Sequence, residues 1–389
     1  MDNSTRFIFL VFIFFASIQV TYAQQKKKIE NVIILTTDGF RWQEVFNGID
    51  TALATRSDYN QEDGLELLKK YWANDTSERR EKLLPFLWGT VAKKGQLYGN
   101  RNYGNKVDNA NPYWFSYPGY SEFFCGYVDT LVNSNSYGNN PNTTLLEFLN
   151  HQKDYNNQVA AFGAWEAFNR ILNEENCGFP VVAAFDSCGG KTPDANQRLI
   201  NAMLKDSYKP FGEDECLDVF TQYEALEYLQ TKKPKVFYVS YGETDEWAHD
   251  HRYRDYLNAA NRFDEYARQI WNFIQHDPQY KDKTALFVTV DHGRGDKTKS
   301  EWTSHGQKIE DSHEIWFGLM GPGIPGKGEV KADMQIYQKQ FAQTIASLLG
   351  FTFTAEHPVA KKNRRDGLKH LWLHFLFARC SILAGICFT

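Results

Sequence analysis

Short runs of β-branched and apolar residues recur along the chain at Asn31–Thr37, Val159–Phe162, Val181–Phe185, Val236–Tyr241, Leu286–Val290 and Ile315–Met320. Continuous apolar runs of this length, bounded by polar or turn-forming residues, predict strands buried on both faces. Longer segments with a 3.6-residue period lie between them. In Tyr256–Ile274 the positions Leu257, Ala260, Phe263, Tyr266, Ala267, Ile270, Trp271 and Ile274 make one apolar stripe, which predicts an amphipathic helix. Phe341–Phe351 reads as a further helix closed by Gly350. Strands alternating with helices predict an α/β fold, with a mostly parallel central sheet and helices on both faces. Ligands on such sheets bind beyond the carboxyl ends of the strands, so the residues after each strand are where chemistry is expected.

The ends of the chain change the picture of its domains. Arg6, then the apolar run Phe7 to Ala16, then Thr21-Tyr22-Ala23 read as a signal peptide over 1–23. Residues 24–358 read as one domain, with a polar, partly helical region at 48–85 and a stretch rich in Asn, Tyr and Gly at 95–142. Residues 359–389 are basic and then apolar, interrupted by His374 and Arg379. Membrane association is expected only if that tail anchors. The reading is of a protein exported to a periplasm or outside the cell.

The net charge of −5 lacks the basic excess of nucleic-acid binders. An exported protein can carry disulfides, and Cys177 and Cys188 lie close enough in sequence to pair across a short excursion. Cys125, Cys216, Cys380 and Cys387 complete the set. No C-x-x-C spacing occurs, which argues against a cysteine metal site.

Candidate chemistry follows the strands. Asp38 comes directly after the first of them, in Thr37-Asp38-Gly39; a helix cap or turn is the alternative role. Asp245 and His249 are four apart after the strand ending at Tyr241, and on one helical turn they share a face. A solvated charge pair is the plain alternative, and His251 competes as a ligand. Asp291 and His292 end the strand Leu286–Val290, where charge needs a partner such as a metal ion. His305 lies in a loop before the last strand, with His313 as the alternative. Three Asp and three His, with no thiolate, suit zinc and accept manganese, iron or cobalt. Six ligands exceed one tetrahedral ion, so two divalent ions are expected, zinc by preference, of the kind that clamp a phosphoryl group from both sides. A nucleophile is then expected. Pro118 predicts the first turn of a helix and places Ser116 just before it, where backbone N–H groups favour an anion. The alternatives are that Ser116 only caps that helix, or that Ser121 is the better candidate.

In order along the chain these residues resemble the alkaline phosphatase superfamily, in its nucleotide pyrophosphatase/phosphodiesterase-like branch. Asp38-Gly39 resembles the first metal aspartate of that branch. Phe115-Ser116-Tyr117-Pro118-Gly119 resembles its nucleophile motif, with Ser for Thr and Gly for Asn. Glu243-x-Asp245-x-x-x-His249, with Ala248 in place of Gly, Asp291-His292-Gly293, and His305 followed by Phe317–Gly323 resemble its remaining metal motifs. The resemblance implies one ion on Asp245, His249 and His305, another on Asp38, Asp291 and His292, and a covalent phosphoseryl intermediate on Ser116. It also implies a phosphate-binding asparagine about twenty residues after the nucleophile, for which Asn135 is the candidate. The sulfatase Cys-x-Pro-x-Arg motif is absent.

The expected substrate is a small phosphate ester. Trp42, Trp114, Phe115 and Tyr117 favour a diester, while Arg41 and Arg294 favour a monoester; the diester is preferred. Competing readings are a phosphomonoesterase or phosphoryl transferase on the same fold, and a non-catalytic protein that keeps the fold to bind a ligand.

Overall fold

The computed structural model describes residues 28–60 and 64–362. The expected signal peptide, the tail beyond Lys362, Cys380 and Cys387 lie outside the described residues.

The strands are β1 (Asn31–Thr37), β2 (Gln96–Tyr98), β3 (Asn105–Asp108), β4 (Val159–Gly163), β5 (Val181–Ala183), β6 (Val236–Tyr241), β7 (Thr284–Thr289), β8 (Phe317–Met320), β9 (Gly328–Glu329) and β10 (Met334–Tyr337). The helices that matter for the site are α1 (Ser116–Cys125), α2 (Ala195–Asp206), α3 (Asp218–Lys232), α4 (Glu243–His249), α5 (Tyr253–His276) and α6 (Phe341–Leu348). Eight strands form one sheet in the order β5-β4-β6-β1-β7-β8-β2-β9. From β5 to β7 every pairing is parallel, and β8 runs antiparallel to both β7 and β2. β3 and β10 pair separately. The expected α/β architecture with a mostly parallel sheet is what forms.

The central strands are legible because they are buried on both faces. Every residue of β1, β6 and β7 is buried. Departures from expectation have local causes. β5 stops at Ala183, short of Phe185, because Ala184 has a φ of 50°, outside strand geometry. β8 starts at Phe317 because the Ile315 N–H is already given to the Val107 carbonyl of β3. α5 carries the predicted stripe and starts three residues early, at Tyr253, whose hydroxyl reaches Glu44 at 3.1 Å.

Aromatic packing fixes α1 against the sheet. Phe123 lies 6.2 Å from Phe287 of β7, and Phe124 lies 4.8 Å from Tyr238 of β6, ring centre to ring centre. Phe341 of α6 closes the same cluster, 5.2 Å from Phe287 and 4.9 Å from Phe317. Each such ring contributes roughly 1.5–3 kcal/mol of burial, so the first residue of α1 is held rigidly at the sheet's carboxyl edge.

Cys177 and Cys188, close enough in sequence to pair, do not do so. Both are free, buried thiols, as are Cys125 and Cys216. Cys177 donates to the Phe179 carbonyl at 3.3 Å, and Cys188 turns toward Asn201 of α2 at 3.3 Å. Close spacing in sequence did not aim the two sulfurs at each other.

Candidate metal centre

β6, β1 and β7 are neighbours and parallel, with Thr37 opposite Tyr241 and Thr36 opposite Thr289. Their carboxyl ends therefore deliver Asp38, the Gly242–Asp245 turn and Asp291-His292 to one place. Asp38 is no helix cap: Arg41 holds that position for the next helix. Gly39 has a φ of 56°, and a side chain there would put its Cβ 2.5 Å from Asp245 Oδ1. Its own N–H donates to Asp291 Oδ1 at 3.1 Å. Glycine is needed at this turn for both reasons.

All six candidate ligands converge. Asp38, Asp291 and His292 offer ligand atoms within 4.8 Å of one another, and so do Asp245, His292 and His305. His292 Nε2 lies 3.2 Å from Asp38 Oδ1 and 3.3 Å from Asp291 Oδ2. His305 Nε2 lies 3.7 Å from Asp245 Oδ1. His249 joins from one turn along α4, with Nε2 3.0 Å from Asp245 Oδ2 and 2.9 Å from His305 Nε2. His251 and His313 do not join. His251 packs on Tyr59, and His313 bonds the Glu310 carbonyl with its ring against Trp114.

The electrostatics ask for positive charge. Burial, then Asp245, pushes Asp38 above the usual carboxylate range. Burial, then Asp38, pushes Asp291 well above it. Burial opposes ionisation of Asp245 as well, yet Arg294, His249 and His305 hold it well below that range. Burial would make His292 less basic, but Asp291 and Asp38 outweigh it and push it up to about 9. Burial and then His292 push His305 well below the ordinary imidazole range. Three buried carboxylates facing three imidazoles are costly without a compensating cation.

The residues present fit such a cation. Asp38 Oδ1, Asp291 Oδ2 and His305 Nδ1 are enclosed and have no hydrogen-bond partner. His292 Nδ1 lies 2.8 Å from the Gly293 carbonyl. As a donor there it leaves the Nε2 lone pair facing the carboxylates, the arrangement that metal-binding imidazoles adopt.

Ser116 is the first residue of α1, one position later than the expected place just before the helix, and Phe115 is the N-cap without a side-chain bond. Ser116 Oγ is therefore not spent on capping. It sits 3.3 Å from His292 Nε2. Ser121 faces away and accepts from Asn140 Nδ2 at 3.1 Å. Asn135 Oδ1 accepts the Tyr117 N–H at 3.0 Å, beside the nucleophile candidate. That N–H is thus occupied, Pro118 has none, and Gly119 N–H bonds the Phe115 carbonyl.

No family model matches the chain, and no curated protein matches it. Solved structures do. The alkaline phosphatase PafA aligns over 86% of this chain and 98% of its own, at 11% identity and a TM-score of 0.54. The phosphonate monoester hydrolase of Agrobacterium radiobacter aligns over 86% and 76%, at 12% identity and 0.52. The lipoteichoic acid synthase LtaP from Listeria monocytogenes aligns over 84% and 73%, at 14% identity and 0.53. The fold is alkaline phosphatase-like. At these identities the likeness is one of fold, and function rests on the site.

Sequence reading missed Tyr120 and Glu215 beside this centre, and missed what Arg294 is bonded to. Tyr120 donates to Asp38 Oδ2 at 3.1 Å from the second turn of α1. Arg294, two residues past His292, pairs with Asp245 and gives its other nitrogens to the Trp302 and Thr303 carbonyls. Its place in the Asp-His-Gly-Arg run was the only signal. Glu215 comes from a loop and lies against Gly242, where a side chain would put its Cβ 1.7 Å from Glu215 Oε1. Nothing in the local sequence announces it.

Proposed function

We propose that this chain is an exported two-metal hydrolase that cleaves a small phosphate ester, a diester by preference, through a covalent phosphoseryl intermediate on Ser116. One observation carries the reading. Asp38 Oδ1 and Asp291 Oδ2 are enclosed without partners around His292 Nε2, and Ser116 Oγ lies 3.3 Å from that same nitrogen.

One ion would be held by Asp245, His249 and His305, and the other by Asp38, Asp291 and His292. Bound there, divalent ions supply Lewis-acid charge that neutralises phosphoryl oxygens and favours an ionised hydroxyl. The chain's own groups do the rest. Asn135 Oδ1 is fixed as an acceptor, so its amide nitrogen is the end that donates to a phosphoryl oxygen. Tyr120 holds Asp38 in orientation. Ser116 Oγ attacks phosphorus, the bond to the alcohol oxygen breaks, and the alcohol departs with the proton that Ser116 gives up. Water then attacks the same phosphorus, displaces Oγ and returns a proton to Ser116.

The diester preference rests on what the nearby cations are doing. A monoester brings an extra anionic oxygen that needs a free cation. Arg41 is buried and tied to Glu44 and the Gly295 carbonyl, and Arg294 is tied to Asp245 and two carbonyls. Neither guanidinium is left over for a substrate. Trp114 and Phe115 are partly open beside Ser116, as an ester group needs. Export to a periplasm or beyond follows from the signal-peptide reading of 1–23. Among the described residues no helix is long and apolar enough to cross a membrane.

The test compares wild type with Ser116→Ala for bound zinc and for turnover of a chromogenic phosphate diester and monoester. The reading predicts about two ions per chain in both proteins, with diester turnover present only in the wild type. A protein that binds no ion and turns over neither ester contradicts it.

A further inference from the structure

Four buried hydroxyls stand in single file behind Asp38. Thr36 of β1 faces Ser240 of β6 in the sheet, and Tyr238 lies two residues before Ser240 on the same face. Tyr238, Thr36, Ser240 and Tyr120 of α1 are each at most 1% exposed. Tyr238 Oη lies 2.8 Å from Thr36 Oγ1, and Thr36 Oγ1 lies 2.9 Å from Ser240 Oγ. Ser240 Oγ lies 3.1 Å from Tyr120 Oη, which lies 3.1 Å from Asp38 Oδ2.

The direction of every bond follows from the last one. A carboxylate only accepts, and each hydroxyl has one proton to give. Tyr120 spends its proton on Asp38 Oδ2, so Ser240 donates to Tyr120, Thr36 to Ser240, and Tyr238 to Thr36. All four O–H groups point along the file toward Asp38, and donors aligned in this way polarise one another. Satisfying a hydroxyl inside the sheet does not require such a file: Thr289 of β7 gives its proton to the Trp316 carbonyl at 2.6 Å.

The rest of Asp38 is fixed as well. Its N–H donates to the Tyr241 carbonyl at 2.9 Å. Its carbonyl accepts the Thr244 hydroxyl, which lies 2.7 Å from the Thr37 hydroxyl. Oδ1 is the one oxygen of Asp38 without a hydrogen bond.

We infer that the file Tyr238–Thr36–Ser240–Tyr120 is a positioning device for the metal centre, tying down Asp38 Oδ2 so that Asp38 presents Oδ1 alone and serves as a one-oxygen ligand. The inference rests on the reading of Asp38 as a metal ligand. Outer partners of this kind set the orientation of a ligand and the affinity for its metal.

The experiment measures zinc affinity of the full chain by competition with a chromophoric chelator. The binding step that Asp38→Asn abolishes marks the ion concerned. Tyr120→Phe removes only the donor oxygen; it weakens that step about tenfold or more and leaves the other step unchanged. Thr36→Val keeps the shape and loses the hydroxyl; it weakens the same step about twofold through the polarised file, and this loss disappears when Tyr120 is already Phe. Tyr280→Phe is the control. Tyr280 is an equally buried phenol that donates to the Pro234 carbonyl at 2.7 Å, before the amino ends of β6 and β7. Its loss lowers the melting temperature and moves neither zinc step. A wild type that binds both ions, with a Tyr120→Phe protein that binds both as tightly, overturns this inference alone. So does a Thr36→Val loss that persists without the Tyr120 hydroxyl. A wild type that binds no zinc overturns the reading of the site together with it.

Discussion

Glu122 and Asp291 are both buried carboxylates at the carboxyl edge of the sheet, and they are treated in opposite ways. Glu122, on α1, accepts the N–H groups of Ala110, Asn111 and Lys339 and the Asn111 side-chain amide, at 2.7–3.0 Å. It pins two loops to the helix and has no capacity left. Asp291 accepts one backbone N–H through Oδ1, while Oδ2 has no hydrogen bond and faces Asp38, itself half unpartnered. Burying a polar atom unpaired costs about 1–3 kcal/mol, more for a charge. A fold that saturates Glu122 could have saturated Asp291. On the proposed reading, the difference separates a structural carboxylate from one held open for a ligand.

That contrast can be broken by mutation, and the largest effect is expected at the nucleophile. Ser116→Ala should lower diester turnover by ~10^3-fold or more with an unchanged melting temperature, because Ser116 caps nothing; steady-state kinetics and calorimetry read the two effects separately. Glu122→Ala should do the reverse. It strands four donors, so denaturant unfolding should show a loss of about 3–5 kcal/mol, while turnover per folded molecule with zinc bound stays near wild type. Asn135→Ala should fall between them, with kcat/KM lowered roughly 10²-fold for a lost phosphoryl donor and stability lowered by only about 1 kcal/mol for a lost cap. Asp38→Asn should cost less stability than Asn135→Ala. In metal-free protein it relieves repulsion with Asp245 and Asp291, so unfolding free energy should drop by less than about 1 kcal/mol, although zinc binding measured by titration is lost. A metal-free Asp38→Asn protein that unfolds as readily as Glu122→Ala would erase the distinction.

How much of this was legible in the sequence depended on burial and length. β1 and β6 were read with their observed bounds, because strands buried on both faces are unbroken apolar runs. β2, β3, β9 and β10 were missed. They have four residues or fewer, too few for alternation to show, and they exist because of pairings far away in sequence. Asp38, Asp245, Asp291 and His292 were readable since each lies just after a strand, and parallel neighbours bring such residues together. Glu215 and Glu122 were invisible for the opposite reason. Glu215 sits on a loop, and the partners of Glu122 come from Ala110, Asn111 and Lys339, at separations no local pattern encodes. Arg41 and Arg294 were legible as cations but not as spent ones, since their partners are buried carboxylates and carbonyls.

The central claim is that Ser116 carries the phosphoryl group. The direct measurement is to quench diester turnover in acid, digest the protein and locate phosphate by mass spectrometry. The account predicts one phosphoryl group on the peptide containing Ser116, specifically on that serine, and none in Ser116→Ala. Phosphate on Ser121, or full turnover by the Ser116→Ala protein, would contradict it.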